Sequence, residues 1–283
     1  MTARVIRSQY GLGIMLVVVS AITFSTAGLF SKGVQAAAWD IIFWRGVFSA
    51  GFTTLWVWHR GQIRDNFPKM GISGVAVAVV GALGTAAFIA AFKLTTIANV
   101  SLIYAVAPML AALLAWAWIG EKASRTVISG SLLALAGVAI IVSGSLGQIN
   151  LRGDLLALGM ALAMAVLMVI YRKFPSTPGA GPAALSSLLL VPVAFVLGNP
   201  LGIPLSEILI LSAFGLVFAI ASVTLAEGAK RVPSGQTALL SILEVPLAPV
   251  LAFLVLSEVP HIRTIAGGAL VLIAVLLAAK DHK

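Results

Sequence analysis

From Gly71 to Phe92 the chain reads GISGVAVAVVGALGTAAFIAAF, without one charged side chain. A helix of that length is about 33 Å long, enough to cross the hydrocarbon core of a bilayer. Apolar and polar residues do not alternate along it, so it does not read as a strand of a membrane barrel. Ten such runs can be marked, roughly 11–30, 39–58, 70–92, 98–119, 126–143, 154–171, 182–197, 208–228, 237–256 and 262–279. The fifth and seventh are the shortest, and tilt or local thinning accommodates them. Between them lie short connections rich in Gly, Pro, Asn and Ser, with no room for a soluble domain. Charged residues make up 10% of the chain and mean hydropathy is +1.10, against about 25% charged in a soluble domain. The expected fold class is an all-α membrane protein of ten transmembrane helices. No cysteine is present, so disulfides and thiol chemistry are out. No cleavable signal peptide is expected, because the first run is itself long enough to span.

Cytoplasmic loops carry an excess of Lys and Arg. With the connections numbered alternately, one side holds Arg4, Arg7, Arg60, Arg64, Lys69, Lys122, Arg125, Arg172, Lys173, Lys230, Arg231, Lys280 and Lys283. The other holds only Lys32, Lys93, Arg152 and Arg263, while Arg45 lies inside the second run. This bias places both termini in the cytoplasm. A missed helix would scramble it, yet it holds from the first loop to the last. The net charge of +9 therefore reads as topology and attraction to anionic lipid. A nucleic-acid partner is not expected, since the basic residues are scattered through short loops.

Two stretches are related. Lys93–Glu121 and Lys230–Glu258 are each 29 residues long at a constant offset of 137, and their charged ends coincide. The sequences that follow also correspond, SRTVISGSLLALAGVAIIVSG with IRTIAGGALVLIAVLLAA. The copies occupy runs four and nine, so the repeat unit is five runs. An odd number turns the second unit upside down in the bilayer, an architecture shared by many secondary transporters. The expected division is residues 1–150 and 151–283. Small residues every four positions in run three (Gly74, Ala78, Ala82, Ala86, Ala90) offer a flat stripe for close helix approach. Pro108 in run four, and Pro246 and Pro249 in run nine, are expected to bend their helices and to act as hinges lining a pathway; static packing kinks are the alternative.

Ten runs, a five-plus-five repeat, Arg45 within FWRGVFSA, and helix ends at Gly120-Glu121 and Ser257-Glu258 together resemble the drug/metabolite transporter superfamily, and more narrowly the EamA-type exporters. The resemblance covers nearly the whole chain, and its size and pattern look most like the aromatic amino-acid exporter branch. It implies a secondary carrier of the bacterial inner membrane that exports amino acids or related metabolites. Run seven lacks a counterpart of Arg45.

Ionisable groups inside spans are costly and default to functional hypotheses. Arg45 either binds a substrate carboxylate or pairs with an acid, Glu244 among the candidates. Glu244 sits mid-helix beside Pro246 and is suited to an ammonium or a proton. Glu227 precedes Lys230 and Arg231 by three and four residues, which suggests a local ion pair. Glu121 and Glu258 read as loop anchors. Asn99, Ser101 and Tyr104 in run four, with Gln236, Thr237 and Ser241 in run nine, are polar residues near helix starts; they contact substrate or cap the helices. Trp44, Phe88 and Tyr104 are candidate apolar walls. Trp56, Trp58, Trp116 and Trp118 fit an interfacial belt. The expected site is thus Trp44, Arg45, Phe88, Asn99, Ser101, Tyr104, Gln236, Ser241 and Glu244. Its expected partners are a small molecule, the lipid bilayer and, as a candidate coupling ion, the proton. No cofactor or metal is expected, and monomer and homodimer are equally compatible.

Catalysis is not expected. Gly71-Ile72-Ser73-Gly74 matches the GxSG of intramembrane serine proteases, but His59, His261 and His282 all fall at helix ends or the terminus, away from a nucleophile that needs a base. No GxxxxGK phosphate loop is present. A passive channel, or a carrier of drugs, nucleotide sugars or lipid-like molecules, is the alternative function.

Overall fold

The computed structural model describes residues 3–95, 97–143, 150–256 and 261–280. Helices account for nearly all of it, as lipid demands: backbone groups with no water to bond must satisfy one another within the segment. In order they are α1 (Ala3–Ser25), α2 (Ala27–Lys32), α3 (Ala38–His59), the single turn α4 (Ile63–Asn66), α5 (Gly71–Leu94), α6 (Ile97–Tyr104), α7 (Ala107–Ile119) and α8 (Arg125–Val142). After the connection come α9 (Leu151–Lys173), α10 (Ala180–Leu197), α11 (Leu205–Ala229), α12 (Ser234–Ser241), α13 (Glu244–Leu256) and α14 (Ile262–Lys280). Among the described residues, nine segments are long and apolar enough to cross a membrane. The 22-residue α3, which carries Asp40, Arg45 and four tryptophans, is not one of them.

The first difference from the sequence expectation is in runs four and nine. Proline was expected to bend each helix; each is instead broken in two. α6 stops at Tyr104 and α7 starts at Ala107, while α12 stops at Ser241 and α13 starts at Glu244. Pro108 and Pro246 fall just after the breaks. Neither has an amide hydrogen for the helical ladder, and the ring clashes with the preceding turn. The chain crosses each gap on tighter turns, with Val106 N bonded to Ile103 O (3.1 Å) and Leu243 N to Leu240 O (3.2 Å). Pro249 lies inside α13.

Packing follows the small residues. α8 lies along α14, crossing where Gly137 meets Gly267: a Cβ on Gly137 would stand 2.7 Å from the Gly267 carbonyl oxygen. α3 packs on α10 at Gly46, where a Cβ would meet Ser187 O at 3.1 Å, and on α11 at Gly215, where it would meet Ser49 N at 2.9 Å. α5 packs on α9 and α10, and α1 on α11. The small-residue stripe of α5 does face inward, with Gly74, Ala78 and Ala82 buried and Ala86 and Ala90 half-buried. The outer surface is apolar, with Leu113, Leu254 and Leu276 exposed. Trp56, Trp58, Trp116 and Trp118 are exposed near helix ends, as an interfacial belt requires.

Two apolar clusters fill the interior. One joins α1, α8, α12 and α14 through Val17, Val138, Leu239 and Val271. The other joins the end of α5, α6 and α9 through Ala91, Val100 and Met160. Val245, just past the second break, packs against both. The breaks therefore lie at the seam between the clusters.

Candidate functional site

Glu244 is the first residue of α13 and Tyr104 the last of α6. Their side chains lie within electrostatic reach of each other, the phenol on one broken end and the carboxylate on the other. Both positions come from the broken ends, so each break presents one polar side chain to the other. Glu244 is ten residues from the start of α12 and twelve from the end of α13. That places it about 15 Å along the span, near mid-membrane. Tyr104 is buried and Glu244 half-buried, and Ser241 across the gap is buried with its hydroxyl on its own helix, at Thr237 O (2.9 Å).

Arg45 occupies a second position. The bridge to Glu244 weighed from sequence is absent: among the described residues Arg45 makes no ion pair. Its guanidinium carbon lies 4.1 Å from the ring centre of Phe218 and 5.7 Å from that of Phe214, both on α11, and its Nε is buried without a hydrogen-bond partner. Aromatic faces attract a guanidinium but leave its hydrogens unspent. Neighbouring Trp44 donates Nε1–H to Pro200 O (2.8 Å), which fixes its ring beside the loop after α10.

Other expected site residues serve local order. Asn99 donates to Thr95 Oγ1 (3.0 Å), and Thr95 donates to Asp154 Oδ1 (2.8 Å), so these residues tie the start of α6 to the start of α9. Gln236 donates to the Tyr10 hydroxyl and the Ala278 carbonyl. Ser101 is half-buried on α6 and Phe88 keeps 39% of its surface exposed. Glu227, in the last turn of α11, pairs with Lys230 and Arg231 just past the helix end, as its spacing suggests.

Glu121 anchors one membrane face. Gly120 takes a left-handed turn (φ 70°) that ends α7, with Gly120 N bonded to Trp116 O and Glu121 N to Ala115 O. The turn delivers the Glu121 carboxylate to the start of α12. There Oε1 accepts from Ser234 N (2.8 Å) and Oε2 from Arg172 Nε on α9 (2.8 Å). Arg172 reaches on to Lys230 O. The free amide of that helix start is thus taken by the chain's own carboxylate. Ser257 and Glu258, the matching end, lie outside the described residues. A small, partly polar recess of about 170 Å³ beside this knot is lined by residues that include Ala112, Lys122, Arg172 and Gln236.

Sequence reading passed over two acids. Asp40 is buried and accepts from Asn199 N (2.6 Å), closing the loop after α10; Glu207 accepts from Gln35 N and Ala36 N. Their partners are backbone amides, which leave no side-chain signature. In the GxSG stretch, Ser73 shares a hydrogen bond with Thr177 (2.7 Å).

A helical bundle with two broken spans meeting at one acid is a membrane-transporter arrangement, and the comparisons agree. The EamA-like transporter family matches this chain twice, over residues 11–143 and 151–280. The chain belongs to that family, within the drug/metabolite transporter superfamily. It is 23% identical over 269 residues to the uncharacterized transporter YyaM of Bacillus subtilis, covering 90% of this chain and 86% of that protein. It is 30% identical over 179 residues to solute carrier family 35 member G1 of the mouse, covering 58% of this chain. The matched region spans about half the length (48%) of that mouse relative. A solved crystal structure superposes with a TM-score of 0.80 at 21% identity, over 94% of this chain and 96% of the other, which establishes the shared fold.

Proposed function

We propose that this membrane transporter is a secondary active exporter of amino acids or related small metabolites, working by alternating access across the bacterial inner membrane. On this reading α3 is the tenth crossing, both termini are cytoplasmic, and residues 1–150 and 151–283 form two inverted five-helix repeats. Two observations support the repeat. Ile97 and Ser234, Tyr104 and Ser241, Ala107 and Glu244, and Ile119 and Leu256 are each 137 residues apart, so the two broken spans share all four helix bounds. The packing also keeps its pattern when the repeats are exchanged: α1 on α11 becomes α9 on α5, and α3 with α10 and α8 with α14 map onto themselves. Two inverted copies of one structure can adopt each other's conformation, which yields two states facing opposite sides.

The observation that carries the reading is the Tyr104–Glu244 pair, held between the two breaks. Broken helices near mid-membrane are tolerated where they line a cavity. An acid there is expensive, and in transporters it marks a path for a cation or proton. On this reading the Glu121–Arg172–Ser234 knot lies at the cytoplasmic end, and exchange between states requires it to open.

The test is an uptake panel of amino acids into proteoliposomes, with and without a pH gradient. The reading expects saturable uptake of some members, and a Glu244→Gln variant that is folded in the membrane but insensitive to the gradient. No uptake of any member, or full gradient-driven uptake by Glu244→Gln, contradicts it.

A further inference from the structure

Arg45 is a cation inside the bundle that meets aromatic faces but, among the described residues, no carboxylate. α3 packs mainly on α10 and α11. α10 carries no acid. On α11, Glu207 is held by the amides of Gln35 and Ala36, and Glu227 by Lys230 and Arg231. On α3 itself Asp40 is held by the Asn199 amide, and in α4 Asp65 pairs with Lys69. Each described acid on these elements thus has another donor, and none of them pairs with Arg45.

The polar feature continues along α3. Ser49 and Thr53 follow Arg45 at four and eight residues, on the same helix face. Thr53 is 3% exposed, and its hydroxyl is the second buried side-chain group on this face without a hydrogen-bond partner. A buried donor left unmade is unfavourable, and a buried charge more so. Apolar rings flank the cation. Phe214 stacks on Phe30 at 5.2 Å, Phe218 meets Phe24 edge-on at 5.6 Å, and Phe48 on α3 stacks on Trp44 at 5.7 Å.

We infer that Arg45 is the seat for the anionic group of the cargo, and that the cargo class is carboxylates with an apolar or aromatic body. A carboxylate accepts from a guanidinium in the plane of its fork, which stacking on Phe218 leaves free. The rings beside it fit an apolar body. Among the described residues no acid pairs with Arg45 to receive an ammonium, so the seat takes an acid whether or not the molecule also carries an amine. The inference rests on the reading of the chain as a small-metabolite carrier and narrows its substrates.

The test is calorimetric titration of the whole protein in nanodiscs with phenylacetate, phenylalanine and phenethylamine, which share a ring and differ in charge. Phenylacetate and phenylalanine are expected to bind, with phenethylamine at least about tenfold weaker, as loss of a buried charge-assisted contact demands. Arg45→Gln is expected to abolish the preference for the acids, and Arg45→Lys to restore part of it. Equal binding of phenethylamine to the wild type, or no binding of either acid, overturns the inference without recourse to a variant. A preference unchanged in folded Arg45→Gln does so as well. Binding of phenylacetate alongside failed amino-acid uptake leaves the seat standing and removes the carrier reading. Uptake without any carboxylate preference does the reverse.

Discussion

Arg45, Tyr104 and Glu244 are polar groups placed where lipid-embedded helices usually carry none, and each has a different neighbourhood. Tyr104 and Glu244 lie within electrostatic reach of each other. Arg45 rests on Phe218 with its Nε unspent. Tyr104→Phe removes the polar group nearest the Glu244 carboxylate, and uptake into proteoliposomes is expected to fall about tenfold or more, the scale of one lost charge-assisted contact. Unaltered uptake would show that the pair is only packing. Asp40 belongs to a different class. Its carboxylate satisfies a loop amide, so Asp40→Ala is expected to destabilise the fold by about 1–3 kcal/mol while sparing substrate affinity. A denaturation series with parallel binding measurements separates the two outcomes.

At the scale of elements, the broken spans matter most. Pro108→Ala and Pro246→Ala each return an amide hydrogen to the helical ladder and remove a ring clash. Each is expected to raise the thermal midpoint and slow transport, because a continuous helix resists the local rearrangement that exchange between states needs. Faster transport in both variants would contradict a hinge role. The Glu121 knot, cytoplasmic on the proposed topology, gives a second prediction. Glu121→Gln loses the charge that holds Arg172 and the start of α12. The chain has no cysteine, so a single Ala112→Cys reports on the recess beside the knot without background. Its labelling by an impermeant maleimide from the cytoplasmic side is expected to accelerate several-fold when Glu121→Gln is added. An unchanged rate would mean that the knot does not gate that side.

The whole molecule shows which physics is written locally and which is not. Spans were legible because each needs about twenty apolar residues in a row, and Gly71–Phe92 announces itself. The offset of 137 was legible because charges are scarce, so Lys93 with Lys230 and Glu121 with Glu258 stood out. Tyr104 and Glu244 are both candidate site residues by sequence, and the fold brings these two together. The outright breaks were less legible: a proline predicts a bend, whereas a full break depends on what packs beside it, here Val245 between two clusters. The partners of Arg45 were not legible at all, since Phe214 and Phe218 lie about 170 residues further on. Asp40 and Glu207 escaped for the same reason, as they bind amides distant in sequence.

Alternating access between inverted repeats is the central claim, and counterflow tests it most directly. Proteoliposomes loaded with unlabelled substrate are challenged with a trace of the labelled compound outside. A carrier whose site faces one side at a time is expected to accumulate label transiently above the outside concentration, and faster with more substrate inside. Label that only equilibrates, at a rate indifferent to the substrate inside, would mark an open channel and contradict the account.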